Sequence, residues 1–479
     1  MYFTSFEFGA FFLATFILYY LPITRRCQVE LLIAASLVIY WLEAGNFLIL
    51  LVLSSATTAL LSYRLTGARG RYWTAFLGVA GNLLVLGFFK YKSLFLPGAP
   101  AAASAGDIWT LLLQAGLPVG ISFYTFHGIS LIVDTYRDPT PLLGATGRLR
   151  WRHLVKTLFY MSFFPQLVAG PIAKGKFLFP QIGPKRFADI AWQPALDCVI
   201  RGYFLKSVLA DNLQQFTAPM GVPAAWSGET SVHLFAMMLA YSAQIYADFA
   251  GYSLIAIGLG KLLGYELPQN FNNPYLSASF AEFWRRWHMS LSSWLRDYLY
   301  IPLGGNRRGA LRTYANLFIV MALGGLWHGA AWKFAVWGIW HGTALMVERA
   351  LQQFLPVPSD GRLGRILAPP LYLVRMLAVF SYVTFGWLLF KLDSFTDVLH
   401  YLSRMFEFSL SGSYNGIVDS KVMLELTAVT LLYQIGTELS ARTAFSAVLR
   451  PTKTVILAAM TVFILFGGGD RNAFIYFQF

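Results

Sequence analysis

Apolar runs alternate with short polar connections along the whole chain. The clearest cover Phe8–Leu21, Phe47–Ser62, Trp73–Phe89, Ile108–Val133, Leu154–Ile172, Val232–Leu263, Tyr314–Trp327, Trp332–Val347 and Ile366–Phe390. Leu31–Trp41, Trp192–Leu209, Met423–Leu439 and Thr454–Phe466 complete the series. A helix needs about 20 apolar residues to cross a bilayer. The pattern therefore predicts an all-α polytopic membrane protein with about ten to thirteen transmembrane helices, some of them tilted, partial or shielded by protein. Val232–Leu263 contains Gly251, Gly258 and Gly260 and reads as one long helix or two broken ones. The connections are too short for a separate soluble domain, so residues 1–479 are read as one domain. Its signature region is 240–345 and its aromatic tail is 470–479.

One stretch departs from the spanning pattern. Within Phe280–Ile301, Phe283, Trp287, Leu291, Trp294 and Tyr298 recur at helical steps and form one aromatic stripe, while Arg285, Arg286, His288, Ser292 and Arg296 fall away from it. Such a helix lies in the membrane interface or lines a re-entrant wall. On pattern alone an interfacial anchor without chemistry is the simpler reading, with His288 a satisfied polar residue. The residues that follow, Asp297 and then Gly304-Gly305-Asn306-Arg307-Arg308, point further. Glycines let backbone amides approach an anion, and arginines pair with phosphate. A phosphate-bearing thioester such as a coenzyme A ester suits that loop, although basic glycine-rich turns are common.

Composition agrees with the membrane reading: 57% of residues are hydrophobic and only 13% are charged. The net charge of +14 does not imply nucleic acid, because the basic residues sit in short loops between apolar runs. Arg25, Arg26, Arg64, Arg69, Arg71, Arg137, Arg148, Arg150, Arg152, Arg307, Arg308 and Arg312 mark cytoplasmic loops. The Ala- and Pro-rich loop Leu96–Asp107 has no basic residue and fits the outside. Arg442, Arg450 and Lys453 are placed inside, so Thr454–Phe466 leads outward. Both termini are thus expected on the extracytoplasmic face of a bacterial inner membrane. The first run lacks a basic leader and a cleavage site and reads as a span. Two cysteines, Cys27 and Cys198, give neither a disulfide framework nor a metal-ligand spacing.

Candidate chemistry concentrates late in the chain. Gly325-Leu326-Trp327-His328-Gly329 and Gly338-Ile339-Trp340-His341-Gly342 repeat one pattern inside apolar runs. A buried imidazole at membrane depth is costly and tends to mark function, and histidine exchanges protons near neutral pH. It also serves simply to hydrogen-bond a neighbouring helix. On one continuous helix the two histidines stand roughly 220° apart, which excludes a shared face. A helix break between Gly329 and Trp332 removes that restriction. No Asp, Glu or Cys stands at metal-ligand spacing, so no metal is expected. A lone buried histidine can act as general base on a hydroxyl that attacks a thioester.

The blocks FWRRWHMSLS (Phe283–Ser292) and WLRDYLYIPLGGN (Trp294–Asn306) resemble the membrane-bound O-acyltransferase superfamily, and within it the alginate O-acetylase membrane subunit family. PVGISFYT (Pro118–Thr125), FFPQLVAGP (Phe163–Pro171), IYADFAGY (Ile245–Tyr252), NFNNPY (Asn270–Tyr275) and GGLWHG (Gly324–Gly329) are similar to the same family. The resemblance covers nearly the whole chain. Leu254 departs from it, since relatives often carry Asp after the equivalent of Gly251-Tyr252-Ser253.

The resemblance implies a helical bundle around a central funnel and acyl transfer across the membrane. It makes His328 the principal catalytic histidine, with His288 as a second polar position and His341 as a less decisive one. Arg285, Arg286, Trp287, Asp297, Asn306, Arg307, Trp327 and His341 are the expected substrate-binding set. No tightly bound cofactor is expected; the donor is acetyl-CoA or another acyl thioester. The implied partner is an extracytoplasmic SGNH-type acetyltransferase, and the final acceptor is a polysaccharide or cell-wall polymer. The C-terminal FIYFQF (Phe474–Phe479) resembles the aromatic tail of such systems, in which Tyr476 would carry the acyl group transiently. An interfacial aromatic anchor is the alternative. A phenol is a weak nucleophile at neutral pH, so His328 would assist it. The rival readings are a lipid or protein acyltransferase of another branch, and a transporter or flippase without covalent chemistry.

Overall fold

The computed structural model describes the chain apart from residues 1–2, 66, 68–69, 96–114, 140–150, 168–169, 355–361, 410–413, 442, 471 and 473–479. Arg69, the loop Leu96–Asp107, the start of the Ile108–Val133 run, Arg148, Arg150, Arg442 and the tail with Tyr476 therefore lie outside the described residues. The described residues contain helices and no strand. Among the described residues, four helices, Phe47–Arg64, Arg71–Lys92, Ala310–His328 and Pro370–Lys391, are long and apolar enough to cross a membrane by length and composition. Phe6–Tyr20 and Thr452–Phe466 are shorter apolar helices.

The chain divides into two compact units. The first comprises Met1–Val199 and Ile255–Pro268. Its principal helices are α1 (Phe6–Tyr20), α2 (Gln28–Ala44), α3 (Phe47–Arg64), α4 (Arg71–Phe95), α5 (Ile121–Arg137) and α6 (Trp151–Ser162). Polar side chains tie these helices where lipid cannot satisfy them. Ser62 Oγ meets His153 Nε2 at 2.9 Å, and Tyr160 Oη meets Ser130 Oγ at 2.7 Å.

The second unit comprises Ile200–Leu254 and Gln269–Phe479. Helix α7 (Trp192–Tyr203) enters it and widens into a π-helical turn over Phe204–Ala210 before α8 (Asp211–Thr217). Helix α9 (Ser231–Leu262) is one unbroken element of 32 residues. Its glycines serve close packing rather than a break: a Cβ on Gly251 would stand 2.8 Å from both Gly202 O and Lys206 N.

The amphipathic stretch is not the single helix expected. It forms α10 (Phe280–Arg286) and α11 (Met289–Leu295), then a π turn over Arg296–Tyr300. Trp287 is extended, and His288 adopts a left-handed conformation with φ 42°. The cause is the loop over 270–272, which takes over the backbone hydrogen bonds at this point. Asn272 N donates to Arg286 O (2.9 Å) and Met289 N to Asn270 O (2.8 Å).

The two Gly-x-Trp-His-Gly motifs lie on α12 (Ala310–His328) and α13 (Trp332–Phe354). The chain leaves helical geometry at Gly329, so the two helices form a hairpin. Its backbones touch at the motif glycines. A Cβ on Gly325 would meet Phe334 O and Gly338, and one on Gly338 would meet Met321 O. Helices α14 (Arg362–Lys391), α15 (Phe395–Phe406), α16 (Tyr414–Ala441) and α17 (Thr443–Phe466) complete the unit.

Candidate active site

Helix α10 is fixed before it reaches the site. Ser279 caps it by accepting from Glu282 N (3.0 Å), and Glu282 accepts in return from Ala278 N (2.9 Å). Such a reciprocal pair satisfies two otherwise orphaned amides. Glu348 of α13 accepts from Phe280 N and Ala281 N at 3.0 and 2.9 Å. A carboxylate at a helix N-terminus also complements its dipole.

His288 sits at the break after α10 and is 1% exposed. A left-handed conformation costs a non-glycine residue roughly 1–2 kcal/mol, and Asn270 holds it in place. Asn270 Oδ1 lies 3.0 Å from His288 Nδ1 and accepts from Ser290 Oγ at 2.8 Å, while its amide donates to Ser253 Oγ at 3.0 Å. With the amide so oriented, Nδ1 carries the hydrogen and Nε2 offers a lone pair. Nε2 has no hydrogen-bond partner among the described residues. Burial pushes the pKa of this ring down from its ordinary value to about 3, so it is neutral at pH 7.

From His288 a file of alternating imidazole and indole rings runs to His341. Centroid separations are 5.9 Å to Trp327, 5.1 Å from Trp327 to His328, 5.2 Å from His328 to Trp337 and 4.9 Å from Trp337 to His341. Phe249 packs on His288 at 4.6 Å and Phe390 on His328 at 5.6 Å. His328 is 6% exposed and closes the C-terminus of α12. His341 is fully buried among Phe283, Trp284, Trp337 and Tyr382, and neither ring nitrogen has a hydrogen-bond partner among the described residues.

The structure thus gathers His288, Trp327, His328 and His341, together with Trp287, whose ring lies 5.0 Å from Trp387. The expected anion-binding residues divide. Arg286 is engaged by Glu282 at 2.9 Å and Glu438 at 3.0 Å, whereas Arg285 is exposed. Asp297 pairs with Arg296 at 2.8 Å. Asn306 and Arg307 are exposed on the turn after Gly304 and Gly305, whose φ values of 108° and 56° suit glycine. Tyr476 lies outside the described residues.

Sequence reasoning missed two features. Asn270 was visible only as part of NFNNPY, without its role of orienting His288. The other is a buried cation: Lys206 Nζ lies 2.7 Å from Asp211 and 2.6 Å from Asp248. A lone lysine inside the run Trp192–Leu209 was the available signal.

The chain matches the family model described as "MBOAT, membrane-bound O-acyltransferase family" over residues 39–388. It is 39% identical to "Probable alginate O-acetylase" of Azotobacter vinelandii over 417 residues, covering 85% of this chain and 78% of the relative. It is 35% identical to "Peptidoglycan O-acetyltransferase" of Helicobacter pylori over 400 residues, 78% and 73% of the two chains. With "Teichoic acid D-alanyltransferase" of Bacillus subtilis it shares 28% identity over 291 residues, 57% and 68% of the two.

Proposed function

The chain belongs to the membrane-bound O-acyltransferase family, and from that premise we propose that it moves an acetyl group from a cytoplasmic thioester toward hydroxyls of an exported polysaccharide or cell-wall polymer. That it is a multi-pass membrane acyltransferase follows from the family and its relatives. The observation that carries the finer reading is the buried imidazole–indole file with His328 at a helix C-terminus and an unbonded nitrogen on His288.

In this reading His328 takes the proton of the attacking hydroxyl as its oxygen adds to the thioester carbonyl. The tetrahedral intermediate expels the thiolate, which recovers the proton from the imidazolium; the products are an ester and a free thiol. The indoles exclude water, which otherwise competes as nucleophile. Neutral His288 helps to orient the hydroxyl or its proton. Exposed Arg285 and Arg307 receive the phosphates of a coenzyme A donor, on the cytoplasmic face of a bacterial inner membrane. The acyl group passes to Tyr476 or directly to an SGNH-type partner enzyme outside. The similarity to an alginate O-acetylase and a peptidoglycan O-acetyltransferase supports a polymer acceptor.

The test is peptide mass spectrometry after incubation with isotopically labelled acetyl-CoA, comparing wild type, His328→Ala and Tyr476→Phe. A label on the C-terminal peptide that both substitutions abolish supports the relay. Turnover that depends on His328 without such a label favours direct transfer to the partner. Full polymer acetylation by folded His328→Ala protein would sink the assignment.

A further inference from the structure

The second unit buries three ionisable groups that the acyl-transfer scheme does not use. Lys206, Asp211 and Asp248 have side chains 1%, 1% and 3% exposed and form one ion cluster. Two carboxylates face one ammonium, and an unbalanced buried charge is expensive. The structure answers with main chain. Lys206 Nζ donates to Asn472 O at 3.2 Å, and the Asn472 amide donates to the Asp211 carboxylate. Both polar groups of one peptide residue are therefore held by opposite ends of the same ion pair.

The neighbouring contacts have the same object. Gly469 N donates to Ser207 O at 2.9 Å, and Asn212 Nδ2 donates to Gly467 O at 2.9 Å. A Cβ on Gly469 would stand 2.8 Å from Asn212 N, so the Gly467-Gly468-Gly469 run lets the segment lie flat on the π turn. Within α7 and its continuation, that π turn carries Lys206 itself; such turns re-aim side chains and cluster at functional positions. Gly251, in the same IYADFAGY block as Asp248, brings α9 within backbone contact of Lys206.

We propose that Lys206, Asp211 and Asp248 are positioning residues, a buried charged clamp that grips the main chain at Asn472 and anchors the C-terminal segment. Tyr476 lies four residues beyond the gripped residue, a reach of about 14 Å of chain at most. The clamp thus fixes the chain at Asn472, four residues before the phenol that would accept the acyl group. This last step rests on the reading of Tyr476 as acyl carrier; the grip on Asn472 does not.

A disulfide measures the docking directly. A Cβ on Gly468 would lie 4.0 Å from Ser207 Cβ, inside the roughly 3.5–4.5 Å range of disulfides. In full-length protein with Cys27→Ser and Cys198→Ala, the pair Ser207→Cys/Gly468→Cys should cross-link rapidly under mild oxidation. Lys206→Met/Asp211→Asn/Asp248→Asn, which leaves no unpaired charge, should slow cross-linking at least about tenfold and depress acyl transfer. Closing the disulfide in that variant should restore transfer. An unchanged cross-linking rate in the neutralised protein overturns the clamp, and a closed disulfide that restores no transfer overturns its link to acyl transfer. Tyr476→Phe distinguishes the two claims: unimpaired transfer with unimpaired cross-linking removes the carrier role and leaves the clamp standing.

Discussion

His328 and His341 pack on the same indole: the Trp337 ring lies 5.2 Å from one and 4.9 Å from the other. On a continuous helix they would point to different sides. The chain reversal after His328 returns the second motif antiparallel to the first, and the motif glycines let the two backbones touch. The repeated Gly-x-Trp-His-Gly is therefore a hairpin seam as well as a source of imidazoles.

That seam makes the first prediction. Gly338→Ala places a methyl group against Met321 O and within 3.2 Å of Ala322 Cα. Both are backbone and cannot swing aside. The substitution should cost about 1–3 kcal/mol and shift His328 relative to Trp337. Thermal unfolding in detergent, followed by tryptophan fluorescence, should show a lower Tm together with reduced acyl transfer. An unaltered Tm would mean that the hairpin can open at no cost.

A second prediction concerns Asn270. Its side chain joins Ser253, His288 and Ser290 in one buried network. Asn270→Ala leaves His288 Nδ1 without its acceptor and should release the ring from its tautomer. If His288 assists transfer, kcat should fall by about 10- to 100-fold with little change in the donor KM, by analogy with the loss of residues that orient catalytic ligands. A KM effect alone would assign Asn270 to donor binding instead.

Proton linkage gives a third. His288 is neutral when folded, with its pKa near 3, against an ordinary value near 6.5. Between those values the unfolded chain binds the extra proton, so stability is complete above pH 6.5 and is lost as pH falls toward 3. At pH 5 the loss from this one ring is about 2 kcal/mol. His288→Asn suits the left-handed backbone and removes the titration. The drop in Tm between pH 7.5 and pH 5 should therefore be smaller in the variant than in wild type. Equal drops would show that His288 takes up its proton while folded.

Much of the helical architecture was legible in the sequence because the bilayer restricts the options: long apolar runs must be helices. The family blocks singled out His288 and His328. Periodicity failed at Phe280–Ile301, where five apolar residues at perfect helical spacing do not form one helix. The loop over 270–272 competes for the backbone at Arg286 and Met289, and no local pattern reveals a competitor that far upstream. Lys206 was overlooked for a related reason. Its partners lie 5 and 42 residues away, on α8 and α9, and only the π turn aims the ammonium at both.

The two neighbouring arginines of α10 should behave oppositely. Arg286 bonds Glu282 and Glu438 and also donates to Asn272 O at 3.4 Å. It therefore ties α10 to α16 and to the loop that orients His288. Arg286→Ala leaves two carboxylates without their cation and should lower stability by about 1–3 kcal/mol, visible as a lower Tm with the donor KM secondary. Arg285 is exposed. Arg285→Ala, alone or with Arg307→Ala, should leave the Tm within error and raise the KM for acetyl-CoA, most strongly at low ionic strength, where exposed charge attraction is least screened. Equal kinetic defects with equal losses of Tm would remove Arg285 from the donor site. A raised KM for acetyl-CoA but not for a dephosphorylated thioester would place the coenzyme phosphates on this surface.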